Sequence, residues 1–160
     1  MKEIIFKPIG VVHSQFKDPY GTPIQSEAGK DMKATVEVFP DYMEGLKDVK
    51  GFSHIILLTY FHKAKKHSLH VVPYMDSNTR GVFATRAPSR PNSIGLSIVR
   101  IKSIENNIIH IKDVDILDGT PLLDIKPYIP EFDEKENVKT GWLDSKIHKL
   151  RNSRDDGRFS

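Results

Sequence analysis

The run Ile94-Gly-Leu-Ser-Ile-Val-Arg-Ile-Lys-Ser-Ile104, continuing through Glu105-Asn-Asn107 into Ile108-Ile-His-Ile-Lys-Asp-Val114, decides the reading of the fold. Two Ile/Val-rich segments meet at a pair of asparagines, residues that tolerate positive φ, and this predicts a tight antiparallel hairpin over 94–104 and 108–114. Upstream, Ala34, Val36 and Val38 alternate with Thr35 and Glu37, as a strand with one buried face requires. His54-Ile-Ile-Leu-Leu58 is apolar on both faces and belongs at the centre of a sheet. Strands are likewise expected over residues 9–14, 33–39, 53–61, 69–72, 81–85 and 125–128. Helical spacing is confined to residues 41–48 and 142–150. The class read from this pattern is mainly β, an antiparallel β-barrel with short helices. Pattern alone leaves a β-sandwich open. A single domain is expected over residues 1–150, with a mobile tail over 151–160.

Composition narrows the chemistry. The 160 residues carry 24 Lys and Arg against 21 Asp and Glu, a formal net charge of +3. A chain of this length can bury roughly 68–70% of its unfolded surface, so it needs no metal or disulfide staple. It has no cysteine, hence no disulfide, thiol nucleophile or thiolate metal site, and a cytoplasmic protein is expected. The apolar run within residues 1–10 is too short for a signal peptide. The longest apolar candidate, 54–61, falls well short of the ~18 residues of a membrane helix, so no membrane association is expected. The ten glycines include no two closer than six residues. That spacing excludes the dinucleotide fingerprint, the P-loop and the hydrolase nucleophile elbow.

Three segments could carry chemistry. Gly81-Val-Phe-Ala-Thr-Arg-Ala-Pro-Ser-Arg-Pro-Asn-Ser-Ile-Gly95 holds two prolines that stiffen the loop. A stiff loop presenting Arg86, Arg90 and Asn92 suits a carboxylate or phosphate, because guanidinium forks bind planar anions. It equally suits a rigid connector with solvated arginines. Asp113-Val-Asp-Ile-Leu-Asp-Gly-Thr-Pro-Leu-Leu-Asp-Ile-Lys-Pro-Tyr128 sets Asp113, Asp115, Asp118 and Asp124 around a Gly-Thr-Pro turn, where carboxylates can accept bonds from ribose hydroxyls or an ammonium. Solvated acids at a turn are the plainer alternative. Phe61-His62 closes the most apolar strand ahead of Lys63, Lys65, Lys66 and His67. An aromatic there attracts a sulfonium or ammonium group. Metal binding by His62, His67 and His70 lacks supporting cysteines or paired acids, and no metal is expected.

At these segments the chain is similar to a known family. His13-Ser14, Pro23-Ile-Gln25, Gly51-Phe-Ser-His54, Phe61-His62, Gly81-Val-Phe-Ala-Thr-Arg86, Arg90-Pro-Asn92, Ile94-Gly95, Asp118-Gly-Thr-Pro121 and Asp124-Ile-Lys-Pro-Tyr128 together resemble the TrmO, or TsaA-like, group. These are S-adenosylmethionine-dependent tRNA methyltransferases, and the match runs in order from about residue 6 to 143. The resemblance implies a non-Rossmann β-barrel methyltransferase that acts as a homodimer. Its implied acceptor is N6 of threonylcarbamoyladenosine at position 37, in the tRNA anticodon loop. It places S-adenosylmethionine on Pro23, Ile24, Gln25, Phe61, His62, Arg86, Leu96, Asp115, Ile116, Leu117 and Asp118. Ile24 replaces a common arginine of the family, and Ser93 a common proline.

The chemistry then follows. A sulfonium methyl is already activated, so the enzyme mainly holds N6 in line at about 3–3.5 Å and keeps water out. His62 and Asp118 are the candidates to take the N6 proton. Tyr128, Arg86 and Arg90 are the candidates to hold RNA by stacking and phosphate contact. Two other readings stay open: a methyltransferase with a different acceptor, and a barrel that binds S-adenosylmethionine or RNA without turnover.

Overall fold

The computed structural model describes residues 2–159. Eight strands form: β1 (Gly10–Ser14), β2 (Lys33–Val38), β3 (His54–Tyr60), β4 (His70–Val71), β5 (Arg80–Gly81), β6 (Ile94–Glu105), β7 (Ile108–Lys112) and β8 (Thr120–Pro127). Six of them close a barrel in the order β1-β2-β7-β6-β3-β8, with every neighbouring pair antiparallel. The expected class is therefore correct, and closure settles barrel over sandwich. Val12, Val36, Ile55, Leu57, Val99, Ile109, Ile111 and Leu122 fill the interior and are essentially inaccessible. The β6–β7 hairpin turns where the sequence places it, with Asn106 at φ 54°. The Asn107 side chain also donates to the Val38 carbonyl at 2.8 Å, tying the turn to β2.

Several boundaries differ from expectation for local reasons. Residues 81–85 do not form a strand. Arg80 and Gly81 pair with β4, and Val82–Ala84 then turn as a 3-10 helix. The Thr85 hydroxyl donates to the Val82 carbonyl at 2.8 Å and closes that turn, the local competition a threonine offers to a ladder. β7 stops at Lys112 because Asp113 takes φ 67°. β8 begins at Thr120, five residues before its expected start at Ile125. Its two prolines, Pro121 and Pro127, sit near the strand ends, where a missing N–H costs least. The helical spacings over 41–48 and 142–150 resolve into 3-10 turns, Pro40–Leu46, Gly141–Leu143 and Ile147–Asn152, beside one short α-helix, α1 (Pro130–Asp133).

The stretch expected to be a mobile tail lies against the barrel. Asp155 N donates to the Thr22 carbonyl at 2.8 Å, and Gly21 N donates to the Asp155 carbonyl at 2.7 Å. Phe159 packs on a small cluster of Val71, Val82 and Ala87 and meets the Tyr74 ring edge-on at 5.1 Å. The sequence offers this segment one large apolar group, and the groove beside β4 receives it.

Strand direction decides where function can sit. In a closed antiparallel barrel the strands alternate up and down, so β1, β3 and β7 all end at the same rim. The long connections 15–32, 61–93 and 113–119 therefore converge there, although they lie far apart in sequence.

Candidate functional site

The converging connections enclose a cleft of about 1490 Å³. Its lining includes Pro23, Ile24 and Gln25 from the first connection, Phe61, His62 and Arg86 from the second, and Asp115, Ile116 and Leu117 from the third. Leu96 and Tyr128 border it as well. Nearly all the positions assigned to S-adenosylmethionine by resemblance thus share one cavity. Asp118 does not join them. Its carboxylate accepts from Lys17 Nζ at 2.6 Å and from Ser14 N at 3.0 Å, and these donors hold its pKa below the usual carboxylate range.

Gly95 makes the fit between β3 and β6 at the cleft. A Cβ there would lie 2.6 Å from Thr59 Oγ1 and 2.9 Å from the Phe61 ring, too close for either to stay. Gly95→Ala is expected to displace the Phe61 ring and weaken S-adenosylmethionine binding by about tenfold, the usual scale of an overpacked contact. Calorimetric titration checks this, and an unchanged affinity would remove Phe61 from the cofactor wall.

Arg86 reaches Gln25, donating from Nη1 to Oε1 at 2.9 Å, so the first and second connections are bridged across the cleft. Arg90, a candidate RNA contact, turns one nitrogen of its guanidinium back onto its own loop. Its Nη1 donates to the carbonyls of Thr85 at 3.1 Å and Ala87 at 3.4 Å, the residues on either side of Arg86. The half-buried Arg90 guanidinium therefore stiffens the loop that presents Arg86. Tyr128 stands edge-on to His54 at 6.3 Å and donates its hydroxyl to Glu134 at 2.9 Å.

Two titratable groups in the cleft have shifted equilibria. Burial, reinforced by Lys63, lowers the His62 pKa against the opposing pull of Asp118. Its Nδ1 lies 3.4 Å from the buried Thr120 hydroxyl. Asp115 is hemmed in by protein yet open on the cleft side. Burial pushes its pKa up to about 6, against hydrogen bonds from Ser97 and Ser26 and the charge of Arg86. Among the described residues, His62, His67 and His70 are not gathered into a group that could hold a metal ion.

The sequence reading missed one wall altogether. Trp142, Leu143, Ile147, Leu150 and Phe159 line the cleft from the C-terminal segment. The indole N–H of Trp142 donates to the Ala84 carbonyl at 2.8 Å, and the Arg80 guanidinium lies 5.6 Å above its ring. The apolar spacing at 142, 143, 147 and 150 was the available signal, but spacing shows a packed face without showing what it packs against.

The set suits S-adenosylmethionine. Apolar walls at Pro23, Ile24, Phe61 and Leu96 fit the adenine and methylene parts, Arg86 fits a carboxylate, and Asp115 and Phe61 fit a cation. Comparison with known proteins agrees. Residues 11–134 match the family described as tRNA-methyltransferase O N-terminal domain. The chain is 61% identical over 156 residues to a Pyrococcus abyssi protein named "Probable S-adenosyl-L-methionine-binding protein", covering 98% of this chain and 85% of that one. It is 34% identical over 142 residues to the human tRNA (adenine(37)-N6)-methyltransferase, covering 84% of this chain but 32% of the human one. A crystal structure of TrmO from Pseudomonas aeruginosa superposes with a TM-score of 0.76 at 30% identity, covering 99% of this chain and 79% of that one. A barrel of this topology, with these motifs at one rim, belongs to the tRNA-methyltransferase O N-terminal domain family.

Proposed function

We propose that this protein transfers the methyl group of S-adenosylmethionine to N6 of threonylcarbamoyladenosine at position 37 of tRNA. Family membership makes it an S-adenosylmethionine-dependent tRNA methyltransferase acting on adenine N6. The proposal adds the particular nucleoside and the anticodon loop. The observation that carries it is the cleft, whose volume of about 1490 Å³ exceeds the roughly 300–1,000 Å³ of a site for one small ligand. It has room for the cofactor and for an adenosine carrying a bulky N6 substituent.

When bound, the cofactor supplies a methyl group already activated by its positive sulfur. The chain's own residues bind and orient. Pro23, Ile24 and Phe61 exclude water, and Arg86 with Gln25 forms a polar clasp across the cleft. Tyr128 offers an aromatic face for a base of a single-stranded loop. Lys65, Lys66 and His67 are exposed on the connection after β3 and suit loop phosphates.

The outer face of β3 and β6 presents Tyr60, Ile94, Leu96 and Ile98, each 37–46% exposed. A second copy of the chain covers this face in our reading. The cleft is bordered by Ile94, Leu96 and Ile98 of that face, so the dimer partner would help to close the site. Light scattering should then give twice the 18.2 kDa chain mass. The cytoplasm is the proposed compartment.

The deciding experiment incubates the protein with isotope-labelled S-adenosylmethionine and tRNA bearing unmethylated threonylcarbamoyladenosine, followed by nucleoside mass spectrometry. Label on that nucleoside supports the proposal. Label on another nucleoside, or on none, overturns it.

A further inference from the structure

Asp115 and His62 divide the polar work of the cleft in a way their chemistry makes specific. The Asp115 Oδ1 accepts hydrogen bonds from Ser97 Oγ at 2.6 Å and Ser26 Oγ at 3.2 Å. Ser97 lies on β6 and Ser26 in the 3-10 turn Ser26–Gly29, so the carboxylate is fixed from two sides. No neighbour's donor reaches Oδ2 among the described residues, and Asp115 lines the cleft. The two serines orient the carboxylate through Oδ1, its own backbone N–H is a further donor to the group, and Oδ2 is left without a side-chain donor. Arg86, on the connection after β3, is the charged group acting on it. The nearby Arg100 and Asp113 are paired with each other, from Nε to Oδ2 at 3.1 Å.

The other candidate proton acceptors are engaged. Asp118 is held by Lys17 and Ser14 outside the cleft lining. His62 pairs through Nδ1 with the Thr120 hydroxyl at 3.4 Å.

We propose that Asp115 is the catalytic residue that takes the N6 proton during methyl transfer, through Oδ2. The inference rests on the function proposed above. As the N6–carbon bond forms, the carbon–sulfur bond breaks and its electron pair stays on sulfur. Charge balances when the N6 proton passes to the carboxylate, giving a neutral acid and a neutral thioether. The raised pKa of Asp115 supports this assignment, because a base is most effective when its pKa approaches the working pH.

The test is single-turnover methyl transfer from labelled S-adenosylmethionine to tRNA bearing unmethylated threonylcarbamoyladenosine, from pH 5 to 8, beside calorimetric binding of S-adenosylmethionine. The wild type should lose rate about tenfold per pH unit below the Asp115 pKa, as protonation removes the base. At saturating S-adenosylmethionine, Asp115→Asn should slow transfer by about 100-fold or more and flatten the acid limb. Ser97→Ala removes a donor that favours the charged form, so its acid limb should move to higher pH, a readout that a purely structural role would not shift.

An Asp115→Asn enzyme of wild-type rate, or one that keeps the acid limb, overturns the assignment while leaving the proposed function intact. So does an unshifted limb in Ser97→Ala. Loss of rate strictly in proportion to lost cofactor binding would return Asp115 to a binding role. A wild-type protein that transfers nothing to tRNA overturns both readings.

Discussion

Replacing Arg86 with alanine should weaken S-adenosylmethionine binding by about 10- to 100-fold, the scale of a lost charge-assisted hydrogen bond of roughly 1.5–3 kcal/mol. The guanidinium stands on a loop held rigid by Thr85, whose hydroxyl accepts from Ala87 N at 3.2 Å, and by Arg90 on the flanking carbonyls. Among the described residues its hydrogen-bond partner in the cleft is the neutral Gln25 side chain, and it acts on the Asp115 carboxylate only through its charge. Arg86→Lys keeps the charge but loses the planar fork, and should recover only part of the affinity. For tRNA, Arg86→Ala should flatten the log–log dependence of affinity on salt by about 0.7 if the group also meets one loop phosphate. Arg90→Ala should leave that slope unchanged, because its Nη1 is turned back onto the Thr85 and Ala87 carbonyls, yet should weaken the cofactor by loosening the loop. Calorimetry and tRNA binding at two salt concentrations separate these outcomes. A flattened slope in Arg90→Ala would restore that residue to the RNA surface.

The second large effect is expected at Asp76, which is not itself among the residues lining the cleft. Its fully enclosed side chain accepts from Ser77 N at 2.8 Å, Asn78 N at 3.2 Å, Arg80 Nε at 2.9 Å and Lys146 Nζ. It thereby joins the connection after β4 to the C-terminal wall. Asp76→Ala leaves two cations facing each other without their shared anion, and should free residues 142–150 from the barrel. Trp142 is the single tryptophan of the chain, so its emission should shift to the red, and cofactor affinity should fall with it. The pH sign follows from the same contacts. The Lys146 bond, with the backbone and Arg80 donors, holds the Asp76 pKa well below the usual carboxylate range. Its stabilisation is therefore present above the unfolded carboxylate pKa of about 4 and is lost as pH falls through the depressed folded value. Trp142 emission in the wild type should stay native through pH 4 and change only in stronger acid. An emission unchanged by Asp76→Ala would show that the wall is held by its apolar contacts alone.

Much of the barrel could be read from side chains, because alternation and turn residues act over a few positions. Ala34, Val36 and Val38 face inward as their spacing requires, and Asn106 turns where two Ile-rich runs meet. The errors fall where a local side chain or a lone backbone angle outweighs propensity. Thr85 closes a 3-10 turn in a β-rich segment, and Asp113 at positive φ cuts β7 short. The site was legible as a set of motifs, and its components do meet in one cleft. Their individual roles were less legible, since the segment 113–119 has no regular period to say where a carboxylate points.

From the sequence alone came the antiparallel strands, the stiff loop around Arg86, the absence of thiol chemistry and the motifs that mark the family. Each depends on interactions within a few residues, or on residue types that no fold can change. Tertiary structure decided the rest. Barrel closure carried three distant connections to one rim, turned Asp115 into the cleft and left Asp118 with Lys17 outside its lining. It folded Arg90 back onto its own loop and laid Trp142 against Ala84. Those outcomes depend on which donor or apolar surface arrives from elsewhere in the chain, and only closing the barrel brings them within hydrogen-bonding reach.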